Sequence, residues 1–256
     1  MPRAICHLSL LFSLQESLRA QRPAMAVLME RHLAATLAGL AAPDALRIFA
    51  GYDKFSTHFY HDRDPATWRR AVETMCRMRP EVSDPRCLSA HEQAFVLGYI
   101  SHLTVDEAFR ETVTCQLSGN PRWQEIVPGL WSLADELSID RPHTWAGTGL
   151  AEILKRISQW DIPSLVEPEP VQRMLLVVAE AVNCHSSWER ELLHRRHFGN
   201  RFDVKDSQAD WERRRRMAAG FFDAVHRQAF VEEAMALGLQ ESCRYWDGRY
   251  TCDGRR

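Results

Sequence analysis

The sequence predicts an all-α protein, a bundle of several helices. Three observations carry this. Apolar residues recur at helical spacing along most of the chain. Strand-like alternation is almost absent. The stretches between periodic segments carry Pro, Gly, Asp or Ser, as turns do.

The elements follow in order. A first helix is expected over roughly residues 5–20. Its apolar run Ile5–Leu14 follows Arg3, as a secretory leader would. His7 interrupts the run, however, one basic residue precedes it and no small-x-small site follows closely, so an amphipathic helix is the better reading. After the break at Arg22-Pro23 a second helix is expected over roughly 24–41, then others over about 65–78, 90–114, 123–137, 147–158, 169–197 and 206–238. The breaks fall at Asp53–Pro65, Arg79–Pro85, Ser118–Pro121, Ile139–Pro142 and Asp161–Pro170.

A chain of 256 residues, 45% hydrophobic and 26% charged, can bury a real core. It reads as a single helical domain, 1–256. Ile162–Pro170, with three prolines, is the best candidate linker, and could divide a unit 1–160 from a helical hairpin 171–240; a single bundle is equally compatible. No internal repeat is visible, and the polar tail Tyr245–Arg256 is expected to be poorly ordered. A net charge of −2 points to neither nucleic acid nor an anionic membrane. No apolar stretch approaches the ~20 residues that span a bilayer. Seven cysteines without a CxxC pair fit a reducing cytoplasm, the expected location.

The segment Phe95–Arg110, FVLGYISHLTVDEAFR, is the most informative. His102 and Asp106 are four apart, so on a helix they leave one face a turn apart and can hold one divalent metal. Phe95, Val96, Tyr99 and Leu103 form an apolar stripe beside them, which implies burial. A buried imidazole and carboxylate need partners, and a metal supplies them. A surface hydrogen bond is the plainer reading of the pair taken alone.

Three further segments align with it: CHLSLLFSL at Cys6–Leu14, GLAAPD at Gly39–Asp44 and STHFY at Ser56–Tyr60. Together the four resemble the zinc-dependent phospholipase C family, related more distantly to the P1-type nucleases. The resemblance covers roughly residues 1–112. The family has an early His, an Asp in a small-residue turn, a SHF-like His about fourteen residues later, and a helix with HxxxD; here these are His7, Asp44, His58, His102 and Asp106. The resemblance implies a multi-helix fold of the phospholipase C/P1 type. It also implies one zinc ion among Asp44, His58, His102 and Asp106, and a second shared by His7 and a bridging Asp106. Independently of the family, two His and two carboxylates suit zinc, and also iron or manganese.

The departures matter equally. The family places another His soon after HxxxD and then HxxxE on the next helix. Here Arg110, Glu111 and Thr112 follow Asp106, and the next helix offers Arg122, Trp123, Gln124 and Glu125. One metal, or two, is expected rather than three. Arg110 lies one turn beyond Asp106, where it either ion-pairs with Asp106 or Glu107 or replaces a lost ion as a clamp for an anionic group.

Other signals have plainer readings. His185 and Glu189 form an HxxxE pair, with His194 and His197 on the same segment, and a polar helix face explains them. Asp53 and His61 are alternates to the assigned ligands. Arg213–Arg216 reads as a solvated helix with one or two inward salt bridges. Trp123, Trp131, Trp145, Trp160 and Trp188 read as core and hinge packing rather than a ligand cage. No nucleophile elbow or Gly-rich phosphate loop is present.

The expected function is therefore a metal-dependent hydrolase acting on an ester, amide or phosphoester of a small organic or lipid-like substrate. Asp106 and Arg110 would carry the chemistry. The alternatives are a metal-templated cyclase or lyase and a non-catalytic helical binding protein.

Overall fold

The computed structural model describes residues 3–61, 64–138, 149–199 and 207–251. Twelve α-helices and no strand occur among the described residues. Helix boundaries follow local chemistry. α1 (Ala4–Gln21) stops before Pro23, which occupies the first turn of α2 (Pro23–Arg31), where a missing N–H does no harm. α2 and α3 (Leu33–Phe49) meet at His32 with a bend of 88°. Asp53 caps α4 (Lys54–His58) by accepting the Ser56 N–H, and α5 (Ala71–Met78) follows.

α6 (Ala90–Thr112) begins with a capping box between Ser89 and Glu92. α7 (Trp123–Ala134), α8 (Leu150–Arg156) and α9 (Pro168–Val182) come next. α10 (Ser187–Phe198) and α11 (Gln208–Ala219) start at capping boxes from Ser186 and Ser207, and Asp223 caps α12 (Ala224–Trp246).

α6 is the central element: seventeen of its residues, Ala94 to Arg110 without a gap, are buried. A helix apolar on one stripe buries one face; this one is enclosed by α3, α12, α1 and α5. Its closest neighbour is α3, and the approach depends on two glycines. A Cβ on Gly39 would stand 1.9 Å from the Phe95 carbonyl oxygen, and one on Gly98 2.0 Å from that of Thr36. Each helix thus offers a glycine to the other's backbone. α9 packs on the other side of α3, and α8 against α9. A second apolar cluster joins α7 and α12 to the end of α6, with the Phe109 ring 5.2 Å from Phe230.

Several expectations need correction. The expected helix 24–41 is two helices, and α3 runs on through Pro43 to Phe49, so Asp44 sits inside a helix rather than in a turn. Only a single 3-10 turn, Pro65–Thr67, precedes α5 where one helix over 65–78 was expected. The expected helices 169–197 and 206–238 each divide, at 183–186 and 220–223, and α12 continues to Trp246. Tyr245 and Tyr250 are buried, with the Tyr250 hydroxyl on Glu241, so the beginning of the expected loose tail belongs to the core. Pro168 and Pro170 lie in the first turn of α9, and Leu165 and Val166 pack on the core. The break at Ile139–Pro142 and Trp145 lie outside the described residues. No single described helix is long and apolar enough to cross a membrane; α2 and α3 pass that test only together, across their bend.

Candidate metal centre

Four elements converge at the α3–α6 crossing. α1 brings His7, α3 brings Asp44, the end of α4 brings His58, and α6 brings His102 and Asp106. His58 is aimed by an unusual local backbone. Phe59, which closes α4, adopts φ 60°, a left-handed conformation costly for an aromatic residue, and is held there by burial.

The Asp106 carboxylate lies at the middle. One oxygen, Oδ1, is 3.4 Å from His7 Nε2; the other, Oδ2, is 3.4 Å from His58 Nε2 and 3.7 Å from His102 Nε2. Asp44 Oδ1 is 3.5 Å from His58 Nε2. The His7 ring stacks on His102 at 4.1 Å with planes 4° apart. Two overlapping triads result, His7–His102–Asp106 and Asp44–His58–His102, each with donor atoms within 4.8 Å of one another. All five residues singled out from the sequence are therefore brought together.

These spacings are too long for hydrogen bonds, which bring N and O to 2.7–3.2 Å. They match the edge of a tetrahedral shell, since two bonds of about 2.1 Å at the tetrahedral angle separate donors by about 3.4 Å. The orphaned atoms say the same. His58 Nε2, His102 Nε2, Asp44 Oδ1, both Asp106 oxygens and both His7 ring nitrogens are buried with no hydrogen-bond partner. Left bare, so many buried polar atoms would cost several kcal/mol. The donor set and its spacing thus fit a divalent ion.

Two second contacts orient the rings. His102 Nδ1 is 2.8 Å from the Leu40 carbonyl oxygen, which can only accept, so Nδ1 carries the proton and Nε2 presents its lone pair inward. His58 Nδ1 is 2.8 Å from the Thr57 hydroxyl, which itself donates to the Asp53 and Lys54 carbonyls. Where that hydroxyl keeps its proton on a carbonyl it accepts from His58 Nδ1, which leaves Nε2 free as at His102. Tyr99 fastens the turn by donating to the Thr57 carbonyl at 2.6 Å.

The electrostatics suit a cation. Burial opposes ionisation of Asp106, yet contacts with His102 and His7 hold it well below the usual carboxylate range. Asp44 behaves likewise, burial being outweighed by His58 and His102. Burial lowers His58 to about 4 and, with repulsion from His102, lowers His7. Burial also acts against a charge on His102, but Asp106 and Asp44 overcome it and raise that ring. Any proton on a ligand nitrogen must leave for an ion to bind there.

The cluster opens on one side. The His58 and Asp106 side chains are wholly enclosed, whereas 20% of the Asp44 side chain is accessible. Asp44 and Asp106 line a cleft of about 1450 Å³. A small apolar cavity of about 30 Å³, room for a water-sized group, adjoins His7, Asp44 and His102.

Arg110 lies in the cleft wall with its guanidinium 4.6 Å from the Tyr60 ring and 4.0 Å from Trp68. Glu111 Oε1 is 3.7 Å away. Tyr60 and Trp68 went unnoticed in the sequence, although Tyr60 stands two residues after His58.

The remaining candidates have other employment. Glu189 receives the Ser186 and His185 backbone N–H groups, so that HxxxE pair is a helix cap. Asp53 caps α4, and His61 stacks on Phe55 outside the cluster. Glu111 and Glu125 serve ion pairs, Glu111 with Arg69 and Glu125 with Arg122 and Arg213. Arg213 and Arg215 fasten α11 to its neighbours through Glu125 and Glu136. Trp188 packs on Trp211 and Trp131 on the second apolar cluster, as expected, but Trp160 is 83% exposed and Trp123 lines the cleft instead of the core.

Comparison with models of protein families, with curated proteins and with solved structures finds no match to this chain.

Proposed function

We propose that this protein is a metal-dependent hydrolase, with zinc held by Asp44, His58, His102 and Asp106 and with His7 extending the site beyond Asp106 Oδ1. The observation that carries the reading is the set of donor separations of 3.4–3.7 Å among buried atoms that have no other partner. The order of the five residues along the chain, which resembles the zinc-dependent phospholipase C family, supports it.

When bound, zinc supplies a Lewis acid and an activated water at neutral pH. The protein's own groups do the rest. Leu40 keeps the His102 imidazole in the tautomer that presents Nε2, and Thr57 orients the His58 ring. Asp44, at the mouth, marks the face from which substrate arrives. Arg110, its faces covered by Tyr60 and Trp68, keeps a fixed positive charge in the cleft wall. Its fork of N–H donors suits a carboxylate, a phosphate or the developing oxyanion of an ester.

Metal analysis of the purified chain, with a panel of chromogenic esters, amides and phosphoesters, tests the proposal. The wild-type chain should carry zinc and hydrolyse part of the panel in a zinc-dependent way, while Asp106→Asn should lose both metal and turnover. A chain that binds no divalent ion, or an Asp106→Asn variant with full zinc content, would overturn it.

A further inference from the structure

The cleft is far more cationic than the reaction centre needs. Among the described residues, eight arginines and one lysine line it against four carboxylates, and two of those four are Asp44 and Asp106. Its volume of about 1450 Å³ also exceeds the ~300–1,000 Å³ of ordinary small-molecule pockets. The centre occupies one region of a much longer basin.

One wall of that basin is a single face of α10. Arg190, Leu193, His194 and His197 all line it, at the i, i+3, i+4, i+7 spacing of one helix side. The arginines beside them are mostly engaged: Arg3 and Arg195 both pair with Glu191, Arg196 with Glu180, and Arg173 lies over Phe49. Arg190 differs. It is 92% buried, being 8% exposed, and its Nε and Nη2 donors have no hydrogen-bond partner. Its charge acts on Asp135 through space, while Asp135 Oδ1 accepts the Cys6 N–H at 3.2 Å. A buried guanidinium with idle donors is costly unless an anion completes it.

We propose that this face of α10 is an anion subsite in which Arg190 binds a second anionic group of the substrate, a phosphate or similar multiply charged oxyanion, away from the bond that reacts. This rests on the reading of the histidine–aspartate cluster as the reaction centre. The substrate is then a polyanion larger than its reacting group. One anionic or ester function lies at Asp44 and Arg110, and another on the planar fork of Arg190, whose two parallel donors match phosphate oxygens. His194 supports such a ligand without competing for it: burial and the nearby Arg3 lower it to about 3, so it stays neutral and can offer a hydrogen bond.

Inorganic phosphate is the probe, titrated calorimetrically into the full chain after EDTA treatment so that no metal can hold it. The wild-type chain should bind phosphate saturably, and phosphate should raise its melting temperature. Arg190→Met should weaken that binding about 10- to 100-fold, the scale of losing charge-assisted hydrogen bonds, and melt at the same temperature with and without phosphate. Arg190→Gln, which removes the charge in a polar side chain, carries the same expectation should the methionine variant not fold. Asp106→Asn should bind phosphate as wild type does, so loss of the metal reading and loss of the subsite are separable. Absent phosphate binding by wild type, or equal binding by a folded Arg190 variant, overturns the subsite while leaving zinc binding untouched.

Discussion

Glu107 and Arg110 are neighbours of Asp106 on α6 and illustrate how burial sets chemistry at single residues. Glu107 is 1% exposed, and burial pushes its carboxyl up to about 7 against the opposing pull of Arg110. A carboxyl whose pKa rises on folding prefers to be protonated in the fold. Its stabilising contribution is complete below the unfolded value of about 4.3 and is lost as pH climbs through the folded value. Glu107→Gln stays neutral throughout, so it should be more stable than wild type at pH 8 by about 3–4 kcal/mol and equal to it below about pH 4. Thermal melts of the two chains across that range give the answer; a constant difference would mean that Glu107 does not titrate there. Arg110→Met keeps much of the stem between Tyr60 and Trp68 and removes the charge. It should retain zinc and fold, yet lose about 10²–10³ in rate on the best substrate of the panel, the scale of deleting one preorganised donor. Full turnover by this variant would make Arg110 structural.

At the scale of elements, the α3–α6 crossing determines whether the centre exists. His102 is oriented by a carbonyl of α3, and Asp44 comes from the same helix, so a change in helix separation moves two ligands and one ring at once. Gly98→Ala places a methyl 2.0 Å from the Thr36 carbonyl oxygen, which backbone cannot yield. The helices must part, at a cost of about 3 kcal/mol, and zinc affinity should fall with stability. Gly220→Ala is the control, since its nearest new contact would be 4.0 Å away. It should change stability by less than about 0.5 kcal/mol. Denaturant melts and zinc titrations on both variants decide the matter. A Gly98→Ala chain of wild-type stability would show that the crossing is looser than it looks.

For the whole molecule, an ion bound as proposed would act as a fastener. Its donors come from α1, α3, α4 and α6, elements 99 positions apart from His7 to Asp106 (106 − 7), and an ion that binds only their folded arrangement stabilises all of them together. Free zinc at a hundred times its dissociation constant should add about 2.7 kcal/mol. The melting temperature should therefore rise with zinc concentration, fall with EDTA, and respond to neither in Asp106→Asn. A wild-type melting temperature indifferent to zinc would remove the ion from the fold's energetics.

The helical class and the His102–Asp106 pair were legible because both rest on local regularities, whereas His7, Asp44 and His58 were singled out through the order they share with the family the sequence resembles. A period of 3.6 records a buried face, and HxxxD places two ligands on one side of a helix whatever surrounds it. Helix ends were less legible. The expected helix stops at 41, yet α3 runs on through Pro43 to Phe49; His32 falls inside the expected helix, yet the chain turns there by 88°. Local propensity is weak against tertiary packing. Arg190, Tyr60 and Trp68 could not be picked out at all. An arginine in a basic stretch looks like a solvated face, and only the tertiary structure turns it inward to a cleft whose walls come from distant segments. The chain's own order determined the helical class and placed His102 and Asp106 on one helix face, because periodicity and i,i+4 spacing are written locally. The folded arrangement alone decided their separations, which atoms were left without partners, and where the cationic basin lies, because burial and distance are properties of helices packed together.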